Sequence, residues 1–316
     1  MRIFVAGAGG AIGRSLLPRL IASGHEVVAS TRSPGKIEEL RALGAQAVVM
    51  DGLDAGSVGE AIARAEPEVI VHQMTALAGV TDLKRFDESF AVTNELRTRG
   101  TEHLLAAADA VGVRRFVAQS YTGWPNAREG GPVKTEEDPL DAHPPAAMRK
   151  TLEAIRRLEA LVTAARLEGV VLRYGSFYGP GASDELVQLV RARRLPLVGG
   201  GTGIWSWLHI DDAAGATVVA VEGRATGVFN VVDDDPAPVA EWLPYLAQVL
   251  GAKLPRRVPA WLARLAAGEA VVSMMTESRG SSNAKAKREL RWQPQWPSWR
   301  QGFRAGLGWS DAAAAA

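Results

Sequence analysis

The chain contains no cysteine, which excludes disulfides, thiolate metal sites and a cysteine nucleophile. Histidine is scarce too: five residues are scattered at positions 25, 72, 103, 143 and 209, a pattern that argues against a zinc cluster. Neither sign of charge dominates, with 36 Lys and Arg against 35 Asp and Glu and a formal net charge of +1. That balance lacks the basic footprint of a nucleic-acid-binding surface. No apolar stretch reaches the length of a membrane span without charges or turn residues, so no membrane partner is expected. The opening MRIFVAGAGGAIG enters a folded pattern directly, without a basic leader, an apolar core and a small-residue cleavage site. A cytoplasmic location is therefore the expectation. What is present is ordinary globular composition, 47% hydrophobic and 22% charged in 316 residues, enough for two domains or one large one.

Short apolar runs alternate with helical patterns along the first half. RIFVA (2–6), Glu26 to Ser30, Ala47 to Met50, VIVH (69–72), RFVAQS (115–120) and VVLRYG (170–175) read as strands. Ala11 to Ser23, Pro34 to Leu43, Ser57 to Ala65, Thr81 to Ala110 and residues 151–169 read as helices between them. Strands apolar on both faces, alternating with helices at this spacing, predict an α/β fold with a Rossmann-type parallel sheet. After Arg173 the character changes to glycine turns, tryptophans, a helix at 183–194 and one more strand at 228–234. The expected division is a dinucleotide-binding domain over 1–174, with a returning strand near 226–234, and a substrate lobe over 175–310. The alanine-rich 311–316 is expected to be a disordered tail.

Gly7, Gly10 and Gly13, with Gly9, Ala11 and Ile12 between them, follow the first strand and open the first helix. Small residues there allow a tight turn and let backbone N–H groups approach a phosphate at a helix N-terminus. The end of the second strand bears on the choice of cofactor. An NAD site usually places Asp or Glu there to accept from the ribose hydroxyls. This chain offers Ser30, Thr31, Arg32 and Ser33, with Lys36 shortly after. Arg32 can oppose a 2′-phosphate while Thr31 or Ser33 donates to it, which favours NADP(H) and leaves NAD(H) as the alternative. Arg32 as a plain solvent-facing loop residue also fits. Asp51, after the third strand, is placed to meet adenine or to serve a turn.

The ordered set GAGGAIG (7–13), STRS (30–33), Asp51, VIVHQM (69–74), Asn94, VAQS (117–120), LRYGSFYGPG (172–181), WLHIDDAA (207–214), VFNVVDD (228–234) and SNAKAKRELRWQP (282–294) resembles the extended short-chain dehydrogenases/reductases of the NAD-dependent epimerase/dehydratase superfamily. The match runs over almost the whole chain. The resemblance implies that Gly52, Gln73, Met74, Asn94 and Tyr174 join the glycine loop on the cofactor side. It also implies a C-terminal lobe closing over the nicotinamide end, and Ser120 in the place of the serine that polarises the substrate oxygen. The helices at 81–110 and 151–169 can form a homodimer interface common in such families, although their apolar faces are also needed against the sheet.

The usual Tyr-x-x-x-Lys pair is missing. Its helix falls in PPAAMRKTLEAIRRLE, where Thr151 and Ile155 occupy the two positions, and a register through Lys150 sets Ala146 opposite the tyrosine. A threonine hydroxyl is too weak an acid to replace a phenol. Tyr121 and Tyr178 are the substitute candidates, each equally a packed wall; His143, Arg149 and Lys150 are weaker ones. Trp124, Phe177, Tyr178, Trp205 and Trp207 can line an apolar substrate pocket or join the lobes as core. Arg97, on the helix after Asn94, can reach the cofactor side, with a surface ion pair as the default reading. The resulting expectation is an atypical NADPH-dependent reductase of a carbonyl on a cyclic or aromatic small molecule, Ser120 holding its oxygen. A sugar-nucleotide epimerase or dehydratase and a catalytically inactive dinucleotide sensor are the alternatives.

Overall fold

The computed structural model describes residues 1–77 and 82–308. The expected tail at 311–316 and the Thr81 start of the fourth helical region lie outside the described residues.

Seven strands form one wholly parallel sheet: β1 (Arg2–Ala6), β2 (Glu26–Thr31), β3 (Gln46–Val49), β4 (Val69–His72), β5 (Arg115–Tyr121), β6 (Glu168–Tyr174) and β7 (Gly227–Val231). Their order is β3-β2-β1-β4-β5-β6-β7. The winding reverses between β1 and β4, which opens a crevice at the carboxyl ends of those strands. This is the Rossmann arrangement.

Alternation within each strand feeds two cores. Ile3 and Val5 face a layer with Leu16, Leu17, Val69 and Val117. It is covered by α1 (Ala11–Ala22) and α6 (Ile210–Glu222), which pack on each other. Phe4 and Ala6 face the opposite layer with Ile62, Ile70, Leu104, Phe116 and Leu158. That side is covered by α3 (Ala55–Ala65), α4 (Thr101–Val111) and α5 (Arg149–Ala164). Burial on both faces explains why these strands read as continuous apolar runs. A third core, built on Trp207, Trp242, Trp299, Phe303 and the aliphatics around them, holds the C-terminal half. Asp212 ties that half down by accepting from the backbone N–H of Gln295 (2.7 Å) and Trp296 (2.9 Å).

Two helices differ from their sequence patterns. The second begins as a 3₁₀ turn, Pro34–Lys36, before α2 (Ile37–Ala42), the tighter turn being a common way to open a helix. The long segment before β5 is broken into Phe86–Ser89, Ala91–Glu95, a π-helical turn Leu96–Gly100 and α4. The Thr98 hydroxyl donates to the Asn94 carbonyl (2.9 Å) and that of Thr101 to the Arg97 carbonyl (2.7 Å), bonds that compete with the regular helical ladder there. Among the described residues no helix is long and apolar enough to cross a membrane.

Candidate active site

The turn from β1 into α1 is shaped by close approach. Gly7 has φ +83°, and a Cβ there would stand 2.7 Å from the Met74 backbone. Ser30 holds the turn from β2: its carbonyl accepts from Ala8 N–H (2.9 Å) and its hydroxyl from Gly7 N–H (3.2 Å). Gly10 caps α1 in extended conformation, with open space where a Cβ would be. A twelve-residue helix therefore presents its free N–H groups and its positive end to that space.

Beside the turn lies a cavity of about 170 Å³ lined by Gly7, Gly9, Thr31, Arg32, Lys36 and Asp51, together with Ser33, Gly52 and Met74 among its further walls. A Cβ on Gly9 would meet the Lys36 side chain at 2.9 Å and the Thr31 hydroxyl at 3.3 Å, so a larger residue there would narrow the groove and push Lys36 aside. Lys36 reaches over it and donates to the Gly9 carbonyl at 2.6 Å. Arg32 is exposed at the rim and makes no ion pair among the described residues. Asp51 is turned partly to its own loop, its carboxylate accepting from Leu53 N–H at 3.0 Å. Ala11, Ile12 and Gly13 form the first turn of α1. Ile12 and Gly13 are buried beneath the loop.

The other end of the crevice runs past β4 and β5. His72 is fully buried; its Nδ1 accepts from Met74 N–H (3.2 Å), and burial lowers its pKa to about 4, so the ring is neutral. Gln73 donates to the Tyr174 hydroxyl (3.3 Å), which also bonds Thr217 (2.7 Å). Tyr174 is thereby sealed in the core, its pKa pushed up to about 12 by burial.

Ser120 and Tyr121 are neighbours in sequence but point to opposite sides of β5. The Ser120 hydroxyl donates to Glu159 Oε1 at 2.8 Å. Arg173 clamps the same carboxylate with bonds of 2.8 and 2.6 Å, forming a buried triad under α5. Tyr121 instead lines a small cavity with Trp124, Ser176, Trp205 and Met274, its hydroxyl 3.1 Å from that of Ser176. Burial raises its pKa.

Thr151 is equally committed. Its hydroxyl donates to Asp87 (2.7 Å) and accepts from the Asn94 amide (3.0 Å), while Asp87 also caps α5 through the N–H groups of Lys150 and Thr151. Asp87 carried no signal in the sequence, because the helix it caps begins more than sixty residues later. Of the proposed substrate aromatics, Trp124 and Trp205 share the Tyr121 cavity. Trp207 and Tyr178 are buried in the C-terminal core with Phe303, and Phe177 packs near Tyr174. Tyr178 has an unpartnered hydroxyl, and burial raises its pKa strongly.

Residues 3–231 match the model of the NAD dependent epimerase/dehydratase family. The chain belongs to that family. It is 47% identical over 309 residues to the 3-diazoavenalumate denitrifying reductase of a Streptomyces species, covering 96% of this chain and 99% of that one. It is 31% identical over 268 residues to the 2-alkyl-3-oxoalkanoate reductase of Stenotrophomonas maltophilia, covering 80% and 76%. Such relatives support an oxidoreductase acting on a small molecule. The human epimerase family protein SDR39U1, solved with NADPH, shares the fold at TM-score 0.75 and 21% identity over 97% of this chain and 99% of that one. Other solved members of this fold hold NAD. The groove that a Cβ on Gly9 would narrow, beside the open N-terminus of α1, fits a nicotinamide dinucleotide in this epimerase/dehydratase-family chain.

Proposed function

We propose that this protein is an NADPH-dependent reductase delivering hydride to a small aromatic acid, and that its acceptor group needs no proton from the enzyme. The observation that carries this reading is the commitment of the two hydroxyls at the family's serine and tyrosine positions: Ser120 donates to Glu159 and Thr151 to Asp87. Reducing a ketone creates an alkoxide that must be protonated, and neither of these two hydroxyls is free to do so. NADPH, held by the glycine turn, Arg32 and Lys36, supplies the hydride when bound. An arenediazonium needs nothing else: the ring exchanges its C–N bond for C–H, the C–N electron pair leaves with N₂, and no proton enters. The 47% identical relative acts, by its name, on a diazo compound, and both relatives' named substrates are carboxylates. The chain's part is to bind and orient the ring against Tyr121, Trp124 and Trp205, whose cavity of about 10 Å³ must open to admit it.

A carbonyl acceptor is the second reading, favoured by Tyr121. In that case Tyr121, rather than Ser120, donates to the oxygen, because the Ser120 proton is already held by Glu159. Anaerobic assays with 4-carboxybenzenediazonium and a panel of cyclic ketones decide between them. The first reading expects N₂ and NADP⁺ in equal amounts and little ketone turnover. Ketone reduction that Tyr121→Phe abolishes, with no N₂ release, reverses the choice. Tight NADPH binding without turnover of either class points to a sensor.

Cofactor preference has its own test. Arg32 is unpaired at the rim of the cavity, and Lys36 stands behind it. Arg32→Ala is expected to reduce the NADPH-over-NADH preference by about 1 kcal/mol or more, the scale of a charge-assisted bond. Dissociation constants of both cofactors, measured by fluorescence titration, check it; an unchanged ratio removes Arg32 from the site.

A further inference from the structure

We propose that Arg97 is the receptor for the carboxylate of the substrate. This deepens the reductase reading and rests on it for the substrate class.

Arg97 lies on the π-helical turn Leu96–Gly100 and is 8% exposed. Its Nη1 is enclosed and has no hydrogen-bond partner. A buried guanidinium without a bonded anion is costly, and such a charge normally persists only where a partner completes it. The nearby Glu159 carboxylate makes no hydrogen bond to Arg97 among the described residues: its oxygens accept from Arg173 and Ser120, and it acts on the Arg97 charge only through space. Burial lowers the Arg97 pKa to about 10, which leaves the group charged at neutral pH.

Its surroundings point to the reacting end of the crevice. The Arg97 charge is felt by His72 at the end of β4 and by Tyr121 at the end of β5. Nε2 of His72 is enclosed, and because Nδ1 accepts from Met74, Nε2 carries the ring proton and turns toward the Leu96 backbone. One unsatisfied cationic donor, that of Arg97, thus acts on Tyr121. The residues lining the Tyr121 cavity include no charged side chain. An acid bound against Trp124 and Trp205 therefore finds its counter-charge in Arg97 alone among these groups.

The cofactor is a poorer candidate for that partner. Its anionic groups are phosphates, which belong with the glycine turn, Arg32 and Lys36 on β1 and β2. Its nicotinamide ring becomes positive on oxidation, so an unneutralised guanidinium nearby would oppose hydride donation. A carboxylate between Tyr121 and Arg97 removes that opposition.

The test uses the NADP⁺-loaded protein and two unreactive probes, 4-hydroxybenzoate and 4-hydroxybenzamide, followed by quenching of the cleft tryptophans. The parent is expected to bind the benzoate about tenfold or more tightly than the amide, the scale of a charge-assisted contact. Arg97→Met should erase that preference while NADP⁺ affinity and amide binding stay within about twofold; Arg97→Lys should retain most of it. If Arg97→Met does not fold, Arg97→Gln and Arg97→Lys give the same comparison. A parent that does not distinguish the probes, or binds neither, overturns the proposal, as does discrimination that survives in a folded, cofactor-binding Arg97→Met or Arg97→Gln. Loss of discrimination in a protein that turns over neither diazonium nor ketone keeps the Arg97 site and rejects the reductase reading.

Discussion

Gly13→Ala is expected to abolish NADPH binding and to destabilise the protein by about 3 kcal/mol or more. A Cβ at Gly13 would stand 1.7 Å from the Ala8 carbonyl oxygen and 2.5 Å from its carbon. The obstacle is space, since the backbone there is ordinary helix. Ala8 cannot retreat without loss, because its N–H donates to the Ser30 carbonyl and the preceding Gly7 N–H to the Ser30 hydroxyl. Relief must come from prising α1 off β1, which moves the helix N-terminus away from the pyrophosphate position. Gly10→Ala is the control: nothing lies within 4 Å of its added Cβ, so stability should change little while cofactor affinity falls. Urea unfolding and NADPH titration measure both. A Gly13→Ala protein with parental stability and affinity contradicts the argument.

Glu159→Ala carries the other large effect, an expected loss of about 3–5 kcal/mol. The substitution leaves the Arg173 charge buried without its bidentate partner and the Ser120 proton without an acceptor. Most of that cost belongs to the stranded charge rather than to the pair itself. Replacing both members, as Glu159→Met with Arg173→Met, should therefore recover much of the stability lost in the single variant. A denaturation cycle over the four proteins reads this directly. Additive losses would mean that the two residues do not act as a pair.

The sheet was legible because its physics is local. Runs such as VIV (69–71) and FVA (116–118) are apolar at every position, which suits strands covered on both faces, and the glycines at 7, 10 and 13 mark the turn that follows β1. Side-chain direction was not. Ser120 and Tyr121 are adjacent letters, yet the period of two sends one to Glu159 and the other to the aromatic cavity. Only the position of α5 across the sheet determines which hydroxyl is free. Arg97 shows the same limit on a helix. A regular helix with charges on either side suggests a solvent-facing ion pair, but the π-helical turn departs from that periodicity and its side chain is buried. Tryptophans were the hardest to sort: Trp205 and Trp207 stand two residues apart, a spacing that shares one face of a continuous strand, yet the strand breaks between them, and both pack on Trp242 while only Trp205 lines the cavity.

The outer strand β7 has a consequence for how the molecule is made. It pairs with β6 over Gly227–Val231, some fifty residues after β6 ends, and the intervening chain contains much of the second lobe. During synthesis the cofactor half therefore emerges with an open sheet edge, its β6 N–H and C=O groups unpaired on one side. The edge closes only once Gly227–Val231 has left the ribosome, so the dinucleotide sheet is completed part-way through synthesis of the lobe that covers it.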